Sequence, residues 1–350
     1  MKKYLIGLLM LSLIALAACS EEGASPKNTE KEKSGEVEEK EKEPAETAEK
    51  KQVYPLTGKV TDKSIDHRAL AVMVNNHTKA RPQTGLSDAD IVYEVLAEGM
   101  ITRFLAVFHS EIPDTIGPVR SARPYYVELA KGFDAIYIYH GAAKFIDEQI
   151  QKDGIDFLNG AYYDNDGKLF ERASFREAPH NSYLLTSGIK DALERKGYDM
   201  EKKMEPLPFS EKGNAADGGK LVSKLKIVYS NNPLETVSYS YNKKSEKYVR
   251  SSDGELSVEY GKEKALAVDN VFIVETKHRV VDSAGRRKVD LTSGGKGYLL
   301  QKGKLHEVTW KNEDGRIVPE NMEFVPGQTW INIVPEDPGI SRSVSFMEAE

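Results

Sequence analysis

The chain has 350 residues, with 49 Lys plus Arg against 55 Asp plus Glu and a formal net charge of -6. That length predicts two domains at roughly 100–200 residues each. The acidic balance argues against a general nucleic-acid binder, which carries a basic stripe, so no nucleic-acid partner is expected. A single Cys excludes intrachain disulfides and Cys-based zinc clusters.

In chain order, residues 1–18 read as a signal peptide. Met1-Lys2-Lys3 is a short basic region, and Tyr4 to Ala18 is apolar and uncharged. The stretch is too short for a transmembrane helix, which needs about 20 apolar residues. Its end, Leu16-Ala17-Ala18-Cys19, resembles the lipobox of bacterial lipoproteins. In those proteins the Cys at the position of Cys19 carries diacylglycerol, which supplies the membrane anchor. Residues 20–51 hold 11 Glu and 7 Lys, with Val37 the only large aliphatic residue. Such a segment cannot bury enough apolar area to offset chain entropy. Residues 19–51 therefore read as a lipidated Cys and a charged, disordered tether.

The expected fold class of the rest is α+β: a mixed α/β domain over 52–200, then a mostly antiparallel β domain over 221–350. Apolar runs predict strands at Ala69–Val74, Ile91–Ala97, Arg103–Phe108 and Asp134–Tyr139. Helical spacing falls on Arg123–Lys131, Ala143–Lys152 and Ser187–Lys196. Residues 201–220, with two prolines and three glycines, read as a linker. Beyond it, short strands are predicted at Leu225–Tyr229, Thr236–Tyr241, Ala267–Thr276, Tyr298–Gln301, Leu305–Trp310 and Thr329–Val334. Asp253-Gly254, Gly294-Gly295 and Asp314-Gly315 supply turns between strands.

Arginine carries the sharpest chemical signal. Residues 52–180 contain 7 Arg and 7 Lys, whereas the whole chain has 14 Arg and 35 Lys. A guanidinium offers a planar donor fork matched to carboxylate and phosphate. Around Ile116-Gly117-Pro118-Val119-Arg120-Ser121-Ala122-Arg123-Pro124, a turn leads into a helix that begins near Pro124. Two readings stay open. Arg120 and Arg123, with Ser121 near the helix cap, line an anion site; or they pair with internal acids such as Glu94, Glu98 or Asp114. Other polar residues close predicted strands or lie in turns: Asn75, Asn76, Arg81, Arg103, His140, Arg172, Arg176, His180 and Asn181. Ligand sites of open α/β sheets lie outside strand carboxyl ends, so these are candidate ligand contacts. Glu94, Glu98 and Asp114 are the candidate acids or bases.

No H-E-x-x-H, G-x-S-x-G, S-x-x-K or Walker motif occurs, and neither a metal site nor a cofactor is expected. Asp164-Asn165-Asp166-Gly167 resembles part of a calcium loop, but Tyr162 stands where its first Asp belongs, and a turn explains it better. Trp310 and Trp330 read as core or interface residues.

The stretches Ala71-Val72-Met73-Val74-Asn75-Asn76, Ala80-Arg81-Pro82-Gln83-Thr84-Gly85-Leu86, Gly99-Met100-Ile101-Thr102-Arg103-Phe104, the run from Ile116 to Pro124, and Ala178-Pro179-His180-Asn181 resemble the YerB-like lipoproteins of Gram-positive bacteria. Gly327-Gln328-Thr329-Trp330-Ile331 resembles the second domain of that family. The resemblance implies a two-domain lipoprotein of unknown function on the outer face of the cytoplasmic membrane, with no reaction or cofactor to carry over. The primary expectation is an extracytoplasmic module binding an anionic envelope ligand in an Arg-rich cleft. The alternatives are an envelope hydrolase or phosphotransferase, and a scaffold that meets an envelope protein.

Overall fold

The computed structural model describes residues 52–210, 217–229 and 236–348. Cys19, the signal segment and the tether lie outside the described residues. Among those described, no helix is long and apolar enough to cross a membrane.

The first half supplies strands β1 (Leu70–Asn75), β2 (Ile91–Leu96), β3 (Thr102–Phe108), β4 (Ile136–Tyr139) and β5 (Phe157–Asn159). Its helices are α1 (Pro124–Lys131), α2 (Lys144–Lys152) and α3 (Ile189–Lys196). The second half supplies β6 (Lys220–Val228), β7 (Thr236–Asn242), β8 (Lys247–Ser252), β9 (Asn270–Thr276), β10 (His278–Val280), β11 (Arg287–Val289), β12 (Gly295–Gln301), β13 (Lys304–Glu313) and β14 (Thr329–Pro335). The described chain is mostly strand with few helices, more β-rich than an α+β description implies. Residues 201–210 are packed rather than loose: Leu207 N–H donates to Pro55 O at 2.9 Å, and Ser210 N–H to Phe324 O at 2.9 Å.

The two halves share one sheet. Its path runs β8-β7-β6-β13-β12-β9-β14-β2-β3-β1-β4-β5. The junction is β14, which pairs in parallel with β9 on one side and β2 on the other. Strands in the middle of such a sheet are covered on both faces, so they read as continuous apolar runs rather than alternating ones. In β1, Leu70, Val72 and Val74 enter one core, while Ala71 and Met73 enter the other. Both cores draw on both halves: Phe104 and Trp330 share one, Tyr93 and Ile331 the other.

A glycine pair makes a second junction. Pro124 starts α1 at a position that needs no N–H donor, and the helix ends at Gly132. A Cβ on Gly132 would overlap the backbone of Gly315, which occupies a left-handed turn at φ 88°. Helix and turn therefore touch main chain to main chain.

Candidate functional site

The carboxyl ends of β1 and β4 bring several of the expected residues together. Segment 117–120 is stitched along β1: Asn75 N–H donates to Pro118 O, and Arg120 N–H donates to Met73 O, both at 2.9 Å. Val119 N–H donates to Ser182 O at 2.6 Å, and His140 N–H donates to Arg120 O at 3.0 Å. The Arg120 main chain is thus held between two strand ends, beside the loop that carries His180.

The side chains around it are ordered by their own hydrogen bonds. Asn75 Oδ1 accepts from His77 N–H at 3.0 Å, which turns its Nδ2 toward His180 Nδ1 at 2.9 Å. The amide donates there, so the His180 proton sits on Nε2. The His77 and His180 rings lie 4.6 Å apart at 35°. His140 Nε2 accepts from Arg172 Nη2 at 3.1 Å, which places its proton on Nδ1, 2.7 Å from Ser182 Oγ. Arg172 in turn is held by Asp164 at 2.6 and 3.1 Å and by Asn181 Oδ1 at 2.9 Å. Burial, first of all, lowers all three imidazoles below their ordinary pKa. Nearby cations add to the shift, and the charge of Arg120 is felt by each of them.

The two open readings of the arginines divide by residue. Arg123 pairs with Glu98 through Nε and through Nη2 at 2.7 Å, and Arg103 reaches the same carboxylate at 3.1 Å. Burial alone would raise Glu98; the Arg123 hydrogen bond and both guanidinium charges outweigh it and hold the carboxyl below its usual range. Arg103 is pushed down to about 10 by burial and by the charge of Arg123. Arg120 is half-buried and makes no side-chain hydrogen bond or ion pair among the described residues. Burial and Arg123 lower it, against the pull of Glu98.

Other expected residues lie elsewhere or serve other ends. Glu94 is fully buried in an ion pair with Arg250, both oxygens at 3.0 Å. It also accepts from Trp330 Nε1 at 3.0 Å and Thr102 Oγ1 at 2.9 Å. It is a structural anion at the β2–β14 junction, with no route to a substrate proton. Glu98 is spent on two arginines in the same way. Asp114 is exposed, and only its carbonyl is used, by Thr186 N–H at 3.0 Å. Asn76 is buried beneath this face, donating to Thr102 Oγ1 at 2.7 Å. Arg81 turns to Asn76 and to Asp253 of the second half at 2.6 Å, lining a cavity of about 390 Å³ with Arg250 and Ser252. Arg176 clamps the carbonyls of Lys79, Arg81 and Pro82. Ser121 does not cap α1: Arg123 occupies the cap position, and Ser121 gives its carbonyl to Arg103 at 3.2 Å. Asp166 of the calcium-like tetrapeptide accepts three backbone N–H groups, from Lys168, Leu169 and Phe170, as a turn requires.

Sequence reasoning missed His77, Ser182 and Arg250. His77 had a local signal, standing two residues past a strand-ending Asn. Arg250 had none, because its partner lies 156 residues away.

The comparisons with known proteins agree with the motifs. The family model for the "Protein of unknown function (DUF3048) N-terminal domain" matches residues 56–199, and that for the corresponding C-terminal domain matches 225–331. The chain is 48% identical over 293 residues to the Bacillus subtilis (strain 168) protein named "Putative lipoprotein YerB", covering 82% of this chain and 87% of that one. A crystal structure of YerB protein from Bacillus subtilis matches with a TM-score of 0.78 at 46% identity, covering 85% of this chain and 100% of the other. This chain belongs to the DUF3048 family, alongside YerB.

Proposed function

We propose that the protein is a lipid-anchored envelope lipoprotein that binds a phosphate- or carboxylate-bearing ligand at Arg120. The anchor is Cys19, on the outer face of the cytoplasmic membrane. The lipobox-like end of the first segment and the lipoprotein name of the YerB relative support that part. The observation that carries the ligand is the contrast among arginines. Arg103 and Arg123 share Glu98, and Arg172 has Asp164, while Arg120 is half-buried with no ion-pair partner among the described residues and feels Glu98 only at a distance. A partly desolvated, unpaired cation is unfavourable in the free protein and becomes favourable when an anion arrives. The imidazoles of His77, His140 and His180 all feel its charge, and Asn75 holds His180 in place at 2.9 Å. Binding is favoured over acid–base chemistry because Glu94 and Glu98 are both committed to arginines.

The test is calorimetric titration of the full chain with inorganic phosphate. Arg120→Ala removes one charge-assisted contact, worth about 1.5–3 kcal/mol, so affinity falls roughly 10- to 100-fold. The melting temperature stays the same or rises, because no internal partner is lost. Equal binding by wild type and Arg120→Ala would refute the assignment, as would a variant that unfolds.

A further inference from the structure

The hairpin of β10 and β11 forms a two-stranded sheet of its own, three residues per strand, apart from the main sheet. Together with α1 it encloses a groove of about 940 Å³, lined by Tyr125, Lys277, Arg279, Val281, Lys288 and Leu291 among others. A second cavity of about 250 Å³, lined by Phe145, shares Pro124 and Glu128 with the first, so the depression continues along α1 toward α2. The feature is elongated and amphipathic.

Its charges are unresolved. Arg279 and Lys288 stand directly opposite each other in the hairpin register. Like charges at that position repel, and a hairpin this short is marginal even without that penalty. Lys277, Arg279 and Lys288 are all exposed and make no side-chain hydrogen bond or ion pair among the described residues. Of the two acids at the groove, Asp290 is turned onto the N–H groups of Thr292 and Ser293, which leaves Glu128 alone against four cations: these three and Arg287, whose guanidinium donates to the uncharged Ala97 carbonyl. Beside them, Val280, Val281 and Phe145 are each more than half exposed. A net acidic chain thus concentrates free positive charge and exposed apolar side chains in one groove.

We infer that this groove docks an extended, acidic peptide segment of a partner protein. The carboxylates meet Lys277, Arg279 and Lys288, which removes the cross-strand repulsion. The apolar side chains of the segment cover Val281, Leu291 and the ring of Phe145. The free edges of the two-stranded hairpin offer main-chain pairing to an extended chain. A wall polymer of phosphates satisfies the cations and leaves the apolar lining bare. A flat anionic bilayer does not enter a concave groove. The inference is independent of the Arg120 site.

The test is selection of a displayed library of random twelve-residue peptides on the full chain. The expected peptides are rich in Asp and Glu interleaved with aliphatic or aromatic residues. The double variant Arg279→Glu with Lys288→Glu weakens their binding at least tenfold, and Val281→Ser weakens it several-fold. Both changes are on exposed side chains, and circular dichroism checks that the fold is kept. The inference is overturned if no peptide is enriched, if the enriched peptides are not acidic, or if the charge-reversal variant binds them equally. It is also overturned if phosphatidylglycerol vesicles, rather than peptides, are what the charge reversal releases.

Discussion

Arg120 and its imidazole neighbours make the site sensitive to pH. His77, His140 and His180 sit below the ordinary imidazole value because burial disfavours the charged ring. Near pH 7 they are neutral, and they gain protons beside Arg120 only as pH falls below the ordinary imidazole value. In the free protein this costs stability. The unfolded chain takes up the protons first, so the contribution is intact above the unfolded value near 6.5 and is lost as pH falls through the depressed folded values. With an anion bound the added charge is favourable. Sulfate, which keeps its charge over this range, should therefore bind several-fold more tightly at pH 5.5 than at pH 7.5 in calorimetry. A flat or inverted profile would mean that the imbalance of charge around Arg120 is not what holds the anion.

At the scale of elements, two contacts place the site and tie the halves together. Segment 117–120 is not a regular strand, yet its main chain bonds to β1, Ser182 and His140, and this fixes where Arg120 emerges. The Gly132–Gly315 contact lets α1 lie directly on the 313–316 turn of the second half. Gly132→Ala forces that pair apart. Overpacking of this kind costs about 1–3 kcal/mol, to be read as a lower urea midpoint with unchanged slope. An unchanged midpoint would show that the turn gives way freely. Helix α1 and the predicted strands were legible because their periodicity is local. The hairpin of β10 and β11 was not, because three-residue strands carry too little pattern to stand out from a loop.

For the whole molecule, the deciding feature is β14. It is among the last strands of the chain, and it lies between β9 and β2, so the sheet of the first half is completed only by the second. The Glu94–Arg250 pair and Trp330 sit on this seam, with the Arg250 guanidinium 4.7 Å from the Trp330 ring centroid. Glu94→Gln keeps the volume but leaves Arg250 buried without a counter-charge, a loss of about 3–5 kcal/mol. Because the seam belongs to both halves, far-UV dichroism and tryptophan fluorescence should shift together to a lower midpoint as one transition. Two separated transitions would mean that the halves unfold independently.

By itself the sequence determined the element types of the first half, the β-rich texture of the second, the family and the set of polar residues at the strand ends. These rest on local pattern, which a linear chain displays directly. Only the tertiary structure decided which arginine is neutralised. Arg120 and Arg123 are three residues apart and chemically identical, and the sequence offered Glu94, Glu98 and Asp114 as equal partners for both. Folding places Glu98 against Arg123 and Arg103, seals Glu94 under Arg250 and leaves Asp114 in solvent. Ion pairing depends on distance and desolvation through space, and neither quantity exists until the strands are in register.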